Sequence, residues 1–449
     1  MRIRHFEGTV ITPGSPGYDQ ARAVWNGAID RKPAAIARCW VPGDVPAALR
    51  YARDAGLQVT VRGGGHNVAG TAVCDNGLVI DLSPLKGIEM DPDRATAWAQ
   101  PGVLWGELDE QTQCHGLATT GGVVSHTGIG GLTLGGGIGW LMRRHGLTVD
   151  NLLSAEVVLA DGTTVTASAD QHPELFWALR GGGGRFGIVT RFDYRLHPVG
   201  PQVLAGPVLW PMQQAPELLR HYRDWTDRAP RDVATIVYLR KAPPLAAIPD
   251  HLHGRPVCII AMLHTGPVEN GPDALAPLRS FGSPLVDLVA PRPYVQLQSM
   301  LDPAVPHGWQ YYWKSAEFDR LEDATIDAIV DNAAQTSQRS YAVMFHLGGA
   351  IQDTPEDATA YSHRHARHNL NINGVWTADH DIAEREIAWT RAFHAAVRPW
   401  ESGVYTNFLD QDEGLDRIAQ AFGPATLKRL ATVKHNYDPD HIFGELPPA

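Results

Sequence analysis

Hydrophobic and polar positions alternate along residues 34–62 in the order strand, helix, strand. Asp44 stands as an N-cap with Pro46 in the first turn, and Ala47 to Ala55 continue as helix. Leu57 to Val61 is a short β run that empties into Gly63-Gly64-Gly65-His66, and Leu78-Val79-Ile80 is a further buried strand. Val103 to His115 reads as helix closing at Gly116, a natural position after a helix end. Ser154 to Ser168 is a hairpin, because Asp161-Gly162 separates two β-branched runs. Pro173 to Leu179 follows as a short helix, and Ile188 to Leu196 as a strand.

The pattern changes after Pro198-Val199-Gly200-Pro201. Glycine clusters thin out, and apolar runs such as Val257 to Met262 and Tyr341 to Leu347 mix with amphipathic helices such as Ala324 to Ala334. From Val404 the pattern predicts another short strand and a helix around Ala425 to His435. A chain of 449 residues exceeds one ordinary core. The expectation is therefore α+β with two domains: residues 1–200, then 201–390 as an antiparallel sheet covered by helices, with 391–449 returning to the first domain.

Composition narrows the function. A net charge of -11 argues against nucleic acid, whose phosphates require a surplus of Lys and Arg on one face. No stretch nears the roughly 20 apolar residues of a membrane helix, and no apolar run follows the first arginines, so the expectation is a cytoplasmic chain without membrane contact. Cys39, Cys74, Cys114 and Cys258 are widely spaced with no CxxC pair, which speaks against structural zinc and a disulfide framework. His363, His365 and His368, near Asp379 and His380, match no metal signature and read as a solvated, helical face.

Glycine concentrates at Gly63 to Gly65, from Gly121 to Gly139 and from Gly181 to Gly187. Three clusters in one domain suggest a large ligand gripped by main-chain N–H groups, as a pyrophosphate is held; the alternative is tight turns without a ligand. Gly182, Gly184 and Gly187 spell GxGxxG, but a helix precedes them and a strand follows. A Rossmann fingerprint needs the reverse order. No Walker A sequence is present.

The segments Arg62-Gly63-Gly64-Gly65-His66-Asn67, Gly128-Ile129-Gly130-Gly131 through Gly135-Gly136-Gly137-Ile138-Gly139, and Arg143-His145-Gly146-Leu147-Asp150-Asn151 resemble the FAD domain of berberine bridge enzyme-like oxidases, in the vanillyl-alcohol oxidase/PCMH superfamily. Pro173 to Gly181 and Phe186 to Thr190 continue the likeness; Tyr405-Thr406-Asn407 and the run from Lys434 to Phe443 are similar to the C-terminal motifs. The nearest branch is the bacterial one of 6-hydroxy-D-nicotine oxidase and mitomycin-resistance type oxidases. The resemblance implies a PCMH-type FAD domain, made of an N-terminal half and the returning segment. A substrate domain between them roofs the isoalloxazine ring with its sheet.

Residue by residue, it implies an 8α-histidyl bond to FAD at His66, a chemistry that suits a neutral imidazole. Arg62, Gly63, Gly64, Gly65 and Asn67 would hold the cofactor beside it, as would Gly122, Ser125, Gly128, Gly130, Gly131 and Gly135. Gly187, Val189 and Asn407 complete the expected cofactor set. Val124 occupies the position where many relatives carry a second, cysteinyl tether, so a single bond is expected. Thr127 stands where valine admits O2 and leucine blocks it; it either keeps access open or packs beneath the ring. Tyr405 is the candidate base, with ring packing as the alternative. Tyr311, Tyr312, Trp313 and Lys314, with His346, mark possible pocket lining, from which Tyr312, Lys314 and His346 are chosen. The implied activity is an oxidase that takes a small phenolic, heterocyclic, alcohol or amine substrate and passes electrons to O2, as monomer or homodimer. A dehydrogenase of the same fold and a drug-sequestering flavin protein are the alternatives.

Overall fold

The computed structural model describes residues 3–377 and 380–447. Two larger sheets and a two-stranded ladder, Leu117–Ala118 with His197–Pro198, build the N-terminal domain. The first orders its strands Thr9–Ile11, Ala35–Arg38, Leu78–Asp81 and Val59–Arg62, and the last two pairings are parallel. Leu78–Asp81 is buried along its whole length, as expected of a central parallel strand. The second sheet is antiparallel, in the order Ile88–Asp91, Thr96–Ala99, Ile188–Arg195, Leu152–Val158 and Thr164–Ser168, and it contains the anticipated hairpin.

The middle of the chain forms an eight-stranded sheet. Its central order is Gln202–Pro211, Pro256–His264, Val233–Lys241, Tyr341–His346, His368–Trp376 and Gln310–Phe318, all antiparallel. Successive side chains leave opposite faces, and the two faces meet different partners. Val237, Met344, Leu370 and Ile372 pack under helices Ala215–Thr226, Asp323–Ala333 and His380–Val397. Ile236, Trp313, Tyr341, Val343 and Phe345 face Ile138, Trp140 and Leu141 of the first domain. The α+β expectation holds, and the sheet lies between its own helices and the glycine-rich domain.

Buried ion pairs fasten the parts together. Arg364 donates to both oxygens of Asp150 at 3.0 and 2.7 Å, and Arg143 donates to the carbonyls of Val233 and Leu347 at 2.9 and 2.6 Å. Two residues of the Arg143–Asn151 motif thus join the domains. Lys434 pairs with Asp438, whose carboxylate also accepts the N–H groups of Ile442 and Phe443. That turn brings the C-terminal segment back against the first sheet.

Several expectations are corrected. Asp44 is the first residue of helix Asp44–Asp54 and not its cap. Its carboxylate turns outward to accept the N–H groups of Glu7, Trp40 and Val41. No strand forms at Val404; a turn of 3-10 helix, Thr406–Phe408, replaces it, and an additional helix, Leu415–Phe422, precedes helix Pro424–Tyr437. The boundary placed at 390 falls inside helix His380–Val397, which packs on the substrate-side sheet. His363 bonds the Gln420 carbonyl, His365 faces Asp319, and His368 is buried on a strand, so the three do not share one helical face. Asp379 lies outside the described residues.

Candidate active site

A cavity of about 1200 Å³ runs between the glycine-rich loops and the large sheet. Gly63, Gly64, Gly65, Gly122, Gly128, Gly130, Gly131, Gly135 and Gly187 line one wall, with Asn67, Val124, Thr127 and Val189. At Gly63, Gly64 and Gly128 side chains are excluded by main-chain contact. A Cβ on Gly64 would lie 2.5 Å from the Gly128 Cα, and one on Gly128 would lie 2.5 Å from the Gly64 nitrogen. Gly65 adds a φ of +65°, which favours glycine. In front of Gly131 no atom lies within 4 Å of the Cβ position, so any side chain there would fill the cradle. A long groove walled by bare main chain fits a dinucleotide such as FAD.

Two expected cofactor residues do not reach the cavity. Arg62 is buried on the other side of its strand, where it pairs with Asp81 and donates to the Ala21 carbonyl. It braces the glycine loop from behind. Ser125 turns away to Asp302, which accepts its backbone N–H at 2.9 Å and its hydroxyl at 2.5 Å.

His66 lines the cavity. Its ring stacks on Trp25, with centroids 4.3 Å apart, and its Nε2 shares a hydrogen bond of 3.1 Å with Nδ1 of His126. Burial, with His126 and His307 alongside, pulls His66 down to about 3, so the ring is neutral near pH 7. With Nε2 engaged, Nδ1 is the nitrogen left for another bond.

Tyr405 and Asn407 come from the returning segment and meet the glycine wall directly. The Tyr405 oxygen accepts the Gly137 N–H at 2.9 Å and the Asn407 amide at 2.8 Å. Asn407 also donates to the Leu132 carbonyl, which orients its amide. A Cβ on Gly135 would strike Asn407, so that glycine makes room for it. Burial pushes Tyr405 up to about 12, while its two N–H donors pull the other way. Two donors aimed at one phenol oxygen would support the negative charge that develops when its proton leaves.

The opposite wall is made of side chains. Tyr238, Trp313, Tyr341, Val343, Phe345, Asn371 and Asn373 line it, and Phe408 closes the side beside Tyr405. Trp313 Nε1 and Asn371 Oδ1 are buried without a protein partner. An unpaired polar atom on an aromatic wall is poised for a ligand's hydrogen-bonding group.

The chosen pocket residues Tyr312, Lys314 and His346 are corrected: they sit on the wrong parity of their strands. Trp313 faces the cavity, so its neighbours Tyr312 and Lys314 face away. Tyr312 donates to Asp412 at 2.6 Å, and Lys314 pairs with Asp412 and Glu413 at 2.7 and 2.8 Å. Phe345 faces the cavity, so His346 points under the sheet to Arg143 and stacks near His368. Sequence reasoning missed Asn371 and Asn373, although Asn369, Asn371 and Asn373 alternate with Leu370 and Ile372 in plain view. His126 lies between Ser125 and Thr127 with no local signal of its own, and Trp25 carries none either.

Fold and cavity together define a protein fit to hold an extended dinucleotide cofactor along glycine-rich loops that face an aromatic wall. Residues 33–168 match the family model described as FAD binding domain, and residues 404–445 match berberine and berberine like. An FAD-linked oxidoreductase of Dictyostelium discoideum is 32% identical over 97% of this chain and 93% of its own length. The crystal structure of 6-hydroxy-D-nicotine oxidase from Arthrobacter nicotinovorans superposes with a TM-score of 0.88 at 28% identity, covering 98% of this chain and 96% of that one. Glucooligosaccharide oxidase from Acremonium strictum, described with a 6-S-cysteinyl, 8α-N1-histidyl FAD, gives a TM-score of 0.86 at 25% identity over 99% and 98%. The chain belongs to the berberine bridge enzyme-like FAD-linked oxidases and is an FAD-dependent oxidoreductase.

Proposed function

We propose that this enzyme holds FAD through one covalent bond at His66 and oxidises a small aromatic or heterocyclic alcohol, phenol or amine, with O2 as electron acceptor. The observation that carries the reading is the single cavity in which His66, Tyr405 and the aromatic sheet face meet. Bound FAD supplies the two-electron chemistry by accepting hydride from the substrate. Everything else falls to the chain's own groups.

Tyr238, Trp313, Tyr341, Phe345 and Phe408 form a wall suited to a flat ring. Trp313 Nε1 donates to the substrate and Asn371 Oδ1 accepts from it. Tyr405 takes the proton from the substrate hydroxyl or amine, and the Gly137 and Asn407 N–H groups stabilise the phenolate form it needs for this. Val124, which lacks a thiol, supports a single tether. Thr127, on the cavity wall, supports an open approach for O2.

The test has two parts. Acid-precipitated protein should give a yellow pellet, and His66→Ala should release the colour to the supernatant. Aerobic incubation with alcohols, amines and hydroquinones should bleach the 450 nm region transiently and yield hydrogen peroxide. Bleaching that persists in air would replace the oxidase reading with that of a dehydrogenase.

A further inference from the structure

Three imidazoles cluster between the cavity and the surface, with the His66 and His307 rings 6.3 Å apart, centroid to centroid. His66 faces the cavity, its Nε2 bonds Nδ1 of His126 at 3.1 Å, and the His126 ring lies 4.9 Å from that of His307, centroid to centroid. His66 and His126 are half-buried, whereas His307 is exposed. Trp25 holds the far face of the His66 ring and is itself stacked on Tyr311 at 3.9 Å. Nothing in the substrate-binding role described above uses His126 or His307.

The cluster is assembled from both domains. The large-sheet domain supplies His307 and also the side chains that seat the His126 loop. Gln298 donates to the Gly122 carbonyl at 3.2 Å, and Asp302 accepts the Ser125 N–H and hydroxyl. Asp302 is also the carboxylate whose charge favours a proton on His126, against the burial and the His307 neighbour that disfavour it.

We propose that His126, with His307 beside it, is a positioning residue and proton acceptor that makes His66 reactive toward the flavin 8α-methyl group. The proposal rests on reading His66 as the attachment residue. By accepting the His66 Nε2–H hydrogen bond, His126 holds the tautomer whose Nδ1 carries a free lone pair. As the C–N bond forms at Nδ1, the Nε2 proton passes to His126 Nδ1, and His307 offers the way to solvent. In balance, one methyl C–H bond and one imidazole N–H bond break and one C–N bond forms. The two electrons and two protons released reduce O2 to hydrogen peroxide. Asp302 stabilises the His126 cation during the transfer.

The test follows attachment itself in protein sampled over time after induction, reading the share of bound FAD retained in the acid pellet and, by intact mass, on the chain. His126→Ala is expected to bind FAD but attach it roughly 10²-fold more slowly, the usual scale of lost general-base help. Added imidazole should restore the rate. His126→Asn should fall between, since its amide oxygen accepts the His66 hydrogen bond but takes no proton. His307→Ala, a surface change with little folding risk, should slow attachment several-fold. Attachment at the wild-type rate in His126→Ala overturns the proposal. If that variant yields no folded protein, the same result in His307→Ala overturns it. Wild-type FAD found wholly in the supernatant is a different failure: it removes the His66 reading itself, before any variant is compared.

Discussion

The two long walls of the cavity are made of different material. On one side Gly64 and Gly128 pass so close that neither can carry a Cβ, and much of the surface there is main chain. On the other, Tyr341, Val343 and Phe345 project from one strand, with Asn371 and Asn373 from the next, and the surface is entirely side chain. A main-chain wall has no freedom to vary, because replacing glycine moves the backbone of the neighbouring loop. A side-chain wall on a sheet can change at every second position while the ladder of hydrogen bonds beneath it stays intact. On the proposed reading, the cofactor is held by the inflexible wall, and substrate choice falls to the one that can be repainted.

The largest effect should come from breaking the main-chain wall. Gly128→Val is expected to abolish FAD binding, since the clash at Gly64 is backbone against backbone; the ratio of flavin to protein absorbance measures it. Wild-type flavin content in that variant would show that the two loops can separate, and the contrast between the walls would fail.

Where the walls meet, Tyr405→Phe should lower kcat about 10²- to 10³-fold with FAD still bound, because the proton acceptor is lost. Tyr312→Phe, one face away and bonded to Asp412, should stay within about twofold. The pH profile sharpens this. Tyr405 is raised to about 12 and must ionise to act as a base, so kcat/KM should climb as pH rises through the alkaline range, and the climb should vanish in the phenylalanine variant.

A smaller effect is expected at Thr127 on the cavity wall. Thr127→Leu should slow reoxidation of the reduced enzyme by O2 by about tenfold (roughly 1.4 kcal/mol in barrier), read by stopped-flow absorbance, while substrate reduction stays near its normal rate.

The smallest effect concerns stability at the edge of the side-chain wall. Burial raises the Glu317 carboxyl to about 8, against an ordinary value near 4.3. Above the ordinary value the folded protein binds more protons than the unfolded chain, so this group's stabilising contribution declines as pH rises from about 4.3 to about 8. Glu317→Gln should flatten that part of the thermal-stability profile by a few degrees. An unchanged slope would assign it to another group, such as Asp109, which burial raises to about 7.

These contrasts explain which parts were legible beforehand. The glycine clusters, the Asp161-Gly162 hairpin and helix Pro173–Leu179 could be read directly, because each depends on residues adjacent in the chain. The side-chain wall was read with the wrong parity: Tyr312, Lys314 and His346 were chosen where Trp313 and Phe345 face the cavity. Both faces of these strands are buried, one under helices and one under the FAD domain, so hydrophobicity alone does not say which is which. Arg62 was misread for a related reason, since a strand's last residue can turn either to the loop or to the sheet behind it. Its partner Asp81 belongs to the neighbouring strand.

By itself, then, the amino-acid sequence determined the α+β class and the position of the glycine clusters, and it marked His66, Tyr405 and Asn407 as candidates, because these rest on local backbone demands and short motifs. Only the tertiary structure decided which strand faces look into the cavity, that Arg143 and Asp150 join the domains, and that His66, His126 and His307 come together. Those relations are distances between segments far apart in the chain, and packing alone sets them.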